Sequence, residues 1–227
     1  MNVHKNPWRL YDEIFLRECY EPLIPLRSAP RILDVGANIG LASLYFLWRW
    51  PSARLEAWEP NPTAFELLTR NVVAERFPEA ELKLAPVALS TSEGTAEFVV
   101  PSRDPTAVYA RISPEAERPG QGRDTVRVRA LDARSVFAEP ADLVKLDIEG
   151  HEYAVLDHSL PDPFTVPALM IEFHRVAQNR ERFMHHVTRL TGEGGYWMTD
   201  GTGIRLSPSS LSTRKGSVLL RFFRDDD

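Results

Sequence analysis

Only one cysteine, Cys19, occurs in 227 residues. No internal disulfide framework can therefore hold the fold, and a reducing compartment is implied. No apolar run reaches the roughly 20 residues that a membrane helix needs. The longest, 39–50, is interrupted by Ser43 and Arg49. The first ten residues contain no apolar stretch of the kind a secretory signal requires. A cytoplasmic location is the expectation. An excess of basic charge is missing too: 27 Lys and Arg stand against 32 Asp and Glu, a net charge of −5. The basic groups at 123–129 and 175–189 are interleaved with acids or apolar residues. They read as solvated surface, which argues against a nucleic-acid partner. With 43% hydrophobic residues, the chain can bury one sizeable core.

What is present is an alternation of strands and helices. Residues 8–20 read as an amphipathic helix, followed by a Pro-broken linker over 21–30. Residues 31–35 form a short, buried-type strand, and 39–50 carry Leu41, Leu44, Tyr45 and Trp48 at helical spacing. A second strand is predicted over 54–58 and a second helix over 61–77. Pro62 suits a first helical position, while Thr63 and Glu66 have capping-box spacing. These two signals place the cap a couple of residues apart. Strands follow at 82–85, 95–100 and 125–131, the last two forming a hairpin-like insertion around a long polar stretch, 101–124. Further strands are predicted at 143–148, 168–173, 196–199 and 217–223, with helices from about His151 and over 178–190. Such alternation implies an α/β, doubly wound, mostly parallel sheet. Residues 1–30 read as helix and linker, and 31–227 as one domain.

The first strand runs into Asp34-Val35-Gly36-Ala37-Asn38-Ile39-Gly40 before the first helix. Gly36 would let backbone approach a ligand, and Gly40 would permit tight packing. A helix N-terminus ordinarily attracts phosphate, but Asp34 would repel it and favour a ligand bearing cationic groups. Glu59, after the second strand, stands where an acid can accept hydrogen bonds from ribose hydroxyls. The dinucleotide fingerprint G-x-G-x-x-G is not filled. S-adenosylmethionine answers both acids, its ammonium and sulfonium suiting Asp34 and its ribose hydroxyls suiting Glu59; in the bland alternative, Asp34 caps a turn and Glu59 is a surface acid.

Further motifs carry a family resemblance. They are Ile32–Gly40 (ILDVGANIG), Glu59-Pro60-Asn61 with Leu68 and Asn71, Val87-Ala88-Leu89-Ser90 before Gly94, Lys145–Leu156 (KLDIEGHEYAVL) and Glu172-Phe173-His174. In this order, over about 31–175, the chain resembles the FkbM family of methyltransferases. The K-x-D-x-E-G-x-E segment is the most specific part. The resemblance implies a Rossmann-like, class I methyltransferase fold: a seven-stranded sheet with a reversed last strand. It implies methylation of a small-molecule acceptor, usually at a hydroxyl oxygen of a natural product, sugar or lipid. It implies cofactor contacts at Asp34, Gly36, Ala37, Asn38, Gly40, Glu59, Pro60, Val87 and Ala88, and places Asp147 where reaction-facing groups stand.

Lys145, Asp147 and Glu149 alternate, so a continuous strand would set all three on one face. Asp147 and His174 are the candidates for the base that removes an acceptor proton. Glu149 and Glu172 would orient them or hold the acceptor. Glu149 reads equally as a cap for the helix near His151, His174 equally as a strand end, and Lys145 as a buried cation paired with an acid. Tyr109 and Arg111 are expected acceptor contacts on the 101–124 stretch. No residue is assigned to a metal, although a cation held by Asp147 and Glu172 is an alternative means of acidifying the acceptor. His185 and His186 point in different directions on their helix and are expected at the surface. A nucleotide-dependent oxidoreductase and a non-catalytic cofactor-binding domain are the competing classes.

Overall fold

Short, nearly apolar runs such as 31–35 have no face for solvent, and a sheet covered on both sides is where they are stable. The computed structural model, which describes residues 7–101, 111–112, 123–159 and 166–224, builds that sheet. The chain enters through α1 (Pro7–Tyr11) and a π-helical turn (Asp12–Leu16). It continues through β1 (Arg31–Val35), α2 (Leu41–Arg49), β2 (Arg54–Trp58), α3 (Pro62–Asn71) and β3 (Glu81–Ala85). Next come β4 (Val87–Ser90), β5 (Gly94–Pro101), β6 (Arg111–Ile112), β7 (Arg123–Asp132) and α4 (Ala133–Val136). The last part is β8 (Leu143–Leu146), α5 (Glu152–Ser159), β9 (Ala168–Phe173), α6 (Arg180–Thr191), β10 (Trp197–Asp200), β11 (Arg205–Leu206) and β12 (Val218–Phe223).

The main sheet has eight strands in the order β11-β10-β12-β9-β8-β1-β2-β3. From β9 to β3 all neighbours are parallel, while β12, the last strand, is antiparallel to both β9 and β10. The reversed last strand is therefore as expected. The count of seven is exceeded by the two-residue β11. The insertion is also larger than a hairpin: β5 and β7 do pair antiparallel, but with β4 and β6 they form a separate four-stranded sheet. Strand β4 was not expected, because four residues directly after β3 offer no turn signal of their own.

Local chemistry sets the element ends. Asn61 caps α3, its side chain accepting from Thr63 N at 3.1 Å with Pro62 in the first turn, so the proline signal gives the boundary. The helix stops at Asn71, short of the predicted 77. The N-terminal helix likewise ends at Leu16 instead of residue 20. Its buried residue Ile14 joins Tyr20 in a cluster with Tyr45 and Phe46 of α2. Glu21 then accepts from Tyr45 Oη at 2.6 Å and from Arg49, and its carbonyl accepts from Arg221 at 2.8 Å. Among the described residues no helix is long and apolar enough to cross a membrane.

At the end of the sheet remote from the β1–α2 loop, Arg31 donates through Nε and Nη2 to Glu56 Oε1 at 3.0 and 2.7 Å, and Lys83 reaches Oε2 at 2.8 Å. Burial opposes ionisation of Glu56, but the Lys83 and Arg31 hydrogen bonds hold its carboxyl below the ordinary range. Both Arg31 and Glu56 are buried. Breaking a buried pair strands the other charge, so Glu56→Ala should lower the unfolding free energy by about 3–5 kcal/mol. Urea unfolding checks this; a loss below about 1 kcal/mol would show that water or Glu139 takes over as partner.

Candidate active site at the C-terminal edge of the sheet

The register of β1 sets Asp34 beside Lys145 of β8 on one side and Ala57 of β2 on the other. Asp34 is fully buried. Its Oδ2 accepts from Ser43 Oγ at 2.7 Å, and its Oδ1 stands 3.0 Å from Lys145 Nζ. Lys145 also donates to the Gly36 carbonyl at 2.9 Å and lies over the Tyr20 ring at 5.6 Å. Burial alone would lower its pKa, but Asp34 and Asp147 outweigh that and raise it, so the ammonium stays charged. Asp34 thus meets a protein cation, not open space, and Lys145 is the paired buried cation its sequence position suggested.

The 36–40 loop turns on three left-handed residues, Gly36, Asn38 and Gly40, with φ of 80°, 51° and 88°. The glycines serve packing within the protein. A Cβ on Gly36 would lie 1.8 Å from the Asp147 carbonyl oxygen, and one on Gly40 would lie 2.7 Å from Leu68 Cδ1. Gly36 N and Ala37 N donate to the Trp58 carbonyl. Glu59 closes the loop, accepting from Asn38 N on Oε2 and from Asn61 N on Oε1, each at 2.8 Å. Burial pushes Glu59 up to about 7 against those two hydrogen bonds. Asn38 Oδ1 and Trp58 Nε1 are buried and have no hydrogen-bond partner among the described residues. Pro60 is buried beside Glu59. Val87 faces the main core with Trp58, whereas the Ala88 side chain points into the cluster of the second sheet with Phe98 and Val128. Any ligand contact from Ala88 would therefore come from its backbone.

The second constellation gathers around His174, which follows β9. Its Nδ1 lies 2.9 Å from Glu152 Oε1. Its Nε2 faces Glu149 at 3.4 Å, Glu172 at 3.7 Å and Asp147 at 3.9 Å. Burial disfavours the imidazolium, but Glu152, Asp147 and Glu149 together push His174 up to about 10. A histidine held protonated has no lone pair with which to act as a base at neutral pH. Burial and neighbouring carboxylates raise Asp147, Glu149 (to about 8) and Glu172 above ordinary acids.

Glu149 is not on the strand. β8 ends at Leu146, and Glu149 reaches the site through a turn with φ of 54°. Among the described residues its carboxylate accepts no amide of the following helix; Glu152, the first residue of that helix, instead reaches back into the turn, its Oε1 accepting from Ile148 N at 3.1 Å and Gly150 N at 3.0 Å. Glu152, fully buried, had no role read for it, although it is the final acid of the K-x-D-x-E-G-x-E segment. Tyr153 Oη donating to the His174 carbonyl at 3.0 Å and Tyr20 over Lys145 were missed as well. Neither carries a local signal, since both act across long sequence separations. His185 is exposed as expected. His186 is not: it is buried, 2.8 Å from Asp157, and held down to about 4 chiefly by burial. Tyr109 lies outside the described residues; Arg111 begins β6 and pairs with Val99.

Comparison with known proteins adds the following. The methyltransferase FkbM domain model matches residues 34–197. Methyltransferase sdnD of Sordaria araneosa is 32% identical over 174 residues, 65% of this chain and 66% of that protein. The 31-O-demethyl-FK506 methyltransferase FkbM of Streptomyces tacrolimicus is 40% identical over 68 residues, 30% of this chain and 26% of its own. The chain thus aligns with two thirds or less of these relatives' lengths. The crystal structure of methyltransferase FkbM from Methylobacillus flagellatus KT superposes with a TM-score of 0.54 at 13% identity, covering 88% of this chain and 45% of that one. That likeness shows the fold, a class I methyltransferase-like α/β architecture.

Because the missing Cβ of Gly36 makes room for the Asp147 main chain, Gly36→Ala should destabilise the protein by at least about 2 kcal/mol through strain and overpacking. Denaturant unfolding measures it, and near-native stability would show that the 147 backbone can move aside freely.

Proposed function

The chain belongs to the FkbM methyltransferase family, and from that premise we propose that it transfers a methyl group from S-adenosylmethionine to a hydroxyl oxygen of a small molecule. The observation that carries this reading is the placing of Glu59 and Asp147 at the same edge of the sheet, on either side of the loop after β1. They are close enough for Asp147 to contribute to the raised pKa of Glu59. The oxygen as acceptor draws support from the name of the Streptomyces tacrolimicus relative, which specifies a 31-O position.

The residues present suit this cofactor. The Glu59 oxygens each keep a free lone pair for a ribose hydroxyl after accepting from Asn38 N and Asn61 N. The orphaned Asn38 Oδ1 offers an acceptor to an ammonium. The first-turn N–H groups of α2 have no intrahelical partner and can bind a carboxylate. Asp34 holds this frame from within, through Ser43 and Lys145.

The bound cofactor supplies a methyl group on a positively charged sulfur, ready for in-line displacement. The protein must line up the acceptor oxygen and take its proton. Asp147, raised above the ordinary carboxylate range by burial, would accept that proton as the methyl group is transferred. A positioned base of this kind contributes about 10²–10⁴-fold, and alignment contributes several kcal/mol more. His174, held as a cation, orients Asp147, Glu149 and Glu172 and does not serve as the base. An acid-rich sheet edge on an acidic chain favours a neutral or cationic small acceptor over a phosphate backbone.

With methyl-labelled cofactor and a hydroxylated acceptor, label should enter the product. Asp147→Asn should slow that transfer by about 10²-fold or more while the cofactor Kd stays within a small factor. Loss of cofactor binding in this variant would remove Asp147 from its assigned role. Absence of calorimetric heat with both S-adenosylmethionine and its demethylated product would overturn the reading altogether.

Only ionised Glu59 can accept from both ribose hydroxyls and both backbone amides. Its pKa near 7 means that cofactor affinity should fall as the pH drops below about 7, approaching tenfold per unit at lower pH. Glu59→Gln should weaken binding and flatten this dependence. A wild-type affinity that is constant across that range would show that the ribose is held elsewhere.

A further inference from the structure

We propose that Asp147, Glu149 and His174 form a site for a divalent cation, with Glu152 as the outer carboxylate that sets the histidine. The site stands on the geometry of these side chains. Its use, holding the acceptor oxygen and lowering the hydroxyl pKa, rests on the methyl-transfer reading above.

One donor atom from each of the three residues lies within 4.8 Å of the others. An ion about 2.1 Å from each would draw neighbouring donors to about 3 Å of one another. His174 is 8% exposed. With Nδ1 committed to Glu152, its Nε2 makes no hydrogen bond among the described residues and is aimed at the acids. A carboxylate holding the far nitrogen of a ligating histidine is the usual outer arrangement at metal sites, because it fixes both tautomer and ring direction. Glu152 is itself anchored by Ile148 N and Gly150 N.

Charge points the same way. Among the described residues, five carboxylates (Asp34, Asp147, Glu149, Glu152 and Glu172) lie within 4 Å of only two basic side chains, Lys145 and His174. Buried and half-buried acids in such excess call for protons or a cation. An imidazole with two carboxylates suits Mn²⁺, Fe²⁺ or Zn²⁺ better than the all-oxygen preference of Mg²⁺ or Ca²⁺, and the ion gains the Nε2 lone pair by displacing the proton that the acids hold there in its absence. The set differs from the Asp147 and Glu172 pair that the sequence offered as an alternative, since Glu172 is a flanking acid and His174 takes its place.

The test uses the full chain, stripped with a chelator and dialysed, and titrated with Mn²⁺ in the absence of cofactor, free Mn²⁺ being read by electron paramagnetic resonance. One ion per chain should bind. Glu149→Gln and His174→Ala should each raise the Kd at least about tenfold, and Glu152→Gln by about 10–100-fold, with circular dichroism confirming that each variant is folded. Glu172→Gln should have the smallest effect. Absence of saturable Mn²⁺ binding, binding that none of these variants weakens, or binding lost in Glu172→Gln but kept in Glu149→Gln would overturn the site. Calorimetry with S-adenosylmethionine on the same sample separates the two readings: heat with the cofactor but no bound Mn²⁺ defeats the cation site alone.

Discussion

One buried ammonium organises the reactive edge of this protein. Lys145 is 3% exposed, and its Nζ reaches Asp34 and the Gly36 carbonyl while facing Asp147 and Tyr20. It can do this because β1 and β8 are parallel neighbours with Asp34 opposite Lys145. Through Asp34 the ammonium is linked to Ser43 in the first turn of α2, and through Tyr20 to the segment preceding β1. A lone buried charge is very costly, so each of these partners is held where the charge requires it. The loop after β1, the start of α2 and the end of β8 are thereby fixed as one unit.

The acids that crowd this edge exceed what Lys145 can neutralise. The protein answers with a second cation, His174, oriented by a carboxylate that spends its Oε1 on two main-chain amides and the imidazole together. Even so, Glu149 is held up to about 8, because burial and like charge both disfavour its ionised form. Groups so poised take up and release protons near neutrality, which is what activation of a hydroxyl acceptor demands. The same crowding that would weaken a structural core makes this edge suited to chemistry.

Local pattern carried the main sheet into view from sequence alone. Strand runs such as 54–58 and 168–173 are short and bounded by turn residues, and they lie where expected. The pairing of Lys145 with an acid was legible too, because alternation and the parallel order of strands decide which side chains meet. What escaped depends on distant partners. β4 is a strand because β7 pairs with it, and the extension of the sequence beyond Asn71 looks helical until the chain must turn toward β3. His186 looked like a surface residue beside His185, yet its helix turns that face onto Tyr153. At the site, Glu152 stood in plain view within the motif, but its role appears only when β9 brings His174 next to it.

The misreading of Glu149 shows how the backbone creates the site. Continued as a strand, residues 147 and 149 would be separated by about 6.6 Å along one face, and neither carboxylate would converge on a ring beyond the strand end. Ending β8 at Leu146 and turning through Glu149 at φ 54° and Gly150 at φ 103° brings the 149 carboxylate to 3.4 Å from His174. A left-handed conformation at a non-glycine residue costs on the order of 1–3 kcal/mol. Glycine at 149 would relieve the backbone but remove the carboxylate, and a residue in extended conformation would carry it away from the ring. The strain persists because Glu152 fastens both Ile148 N and Gly150 N across the turn. The residue that orients the histidine is therefore also the one that holds the acid against it.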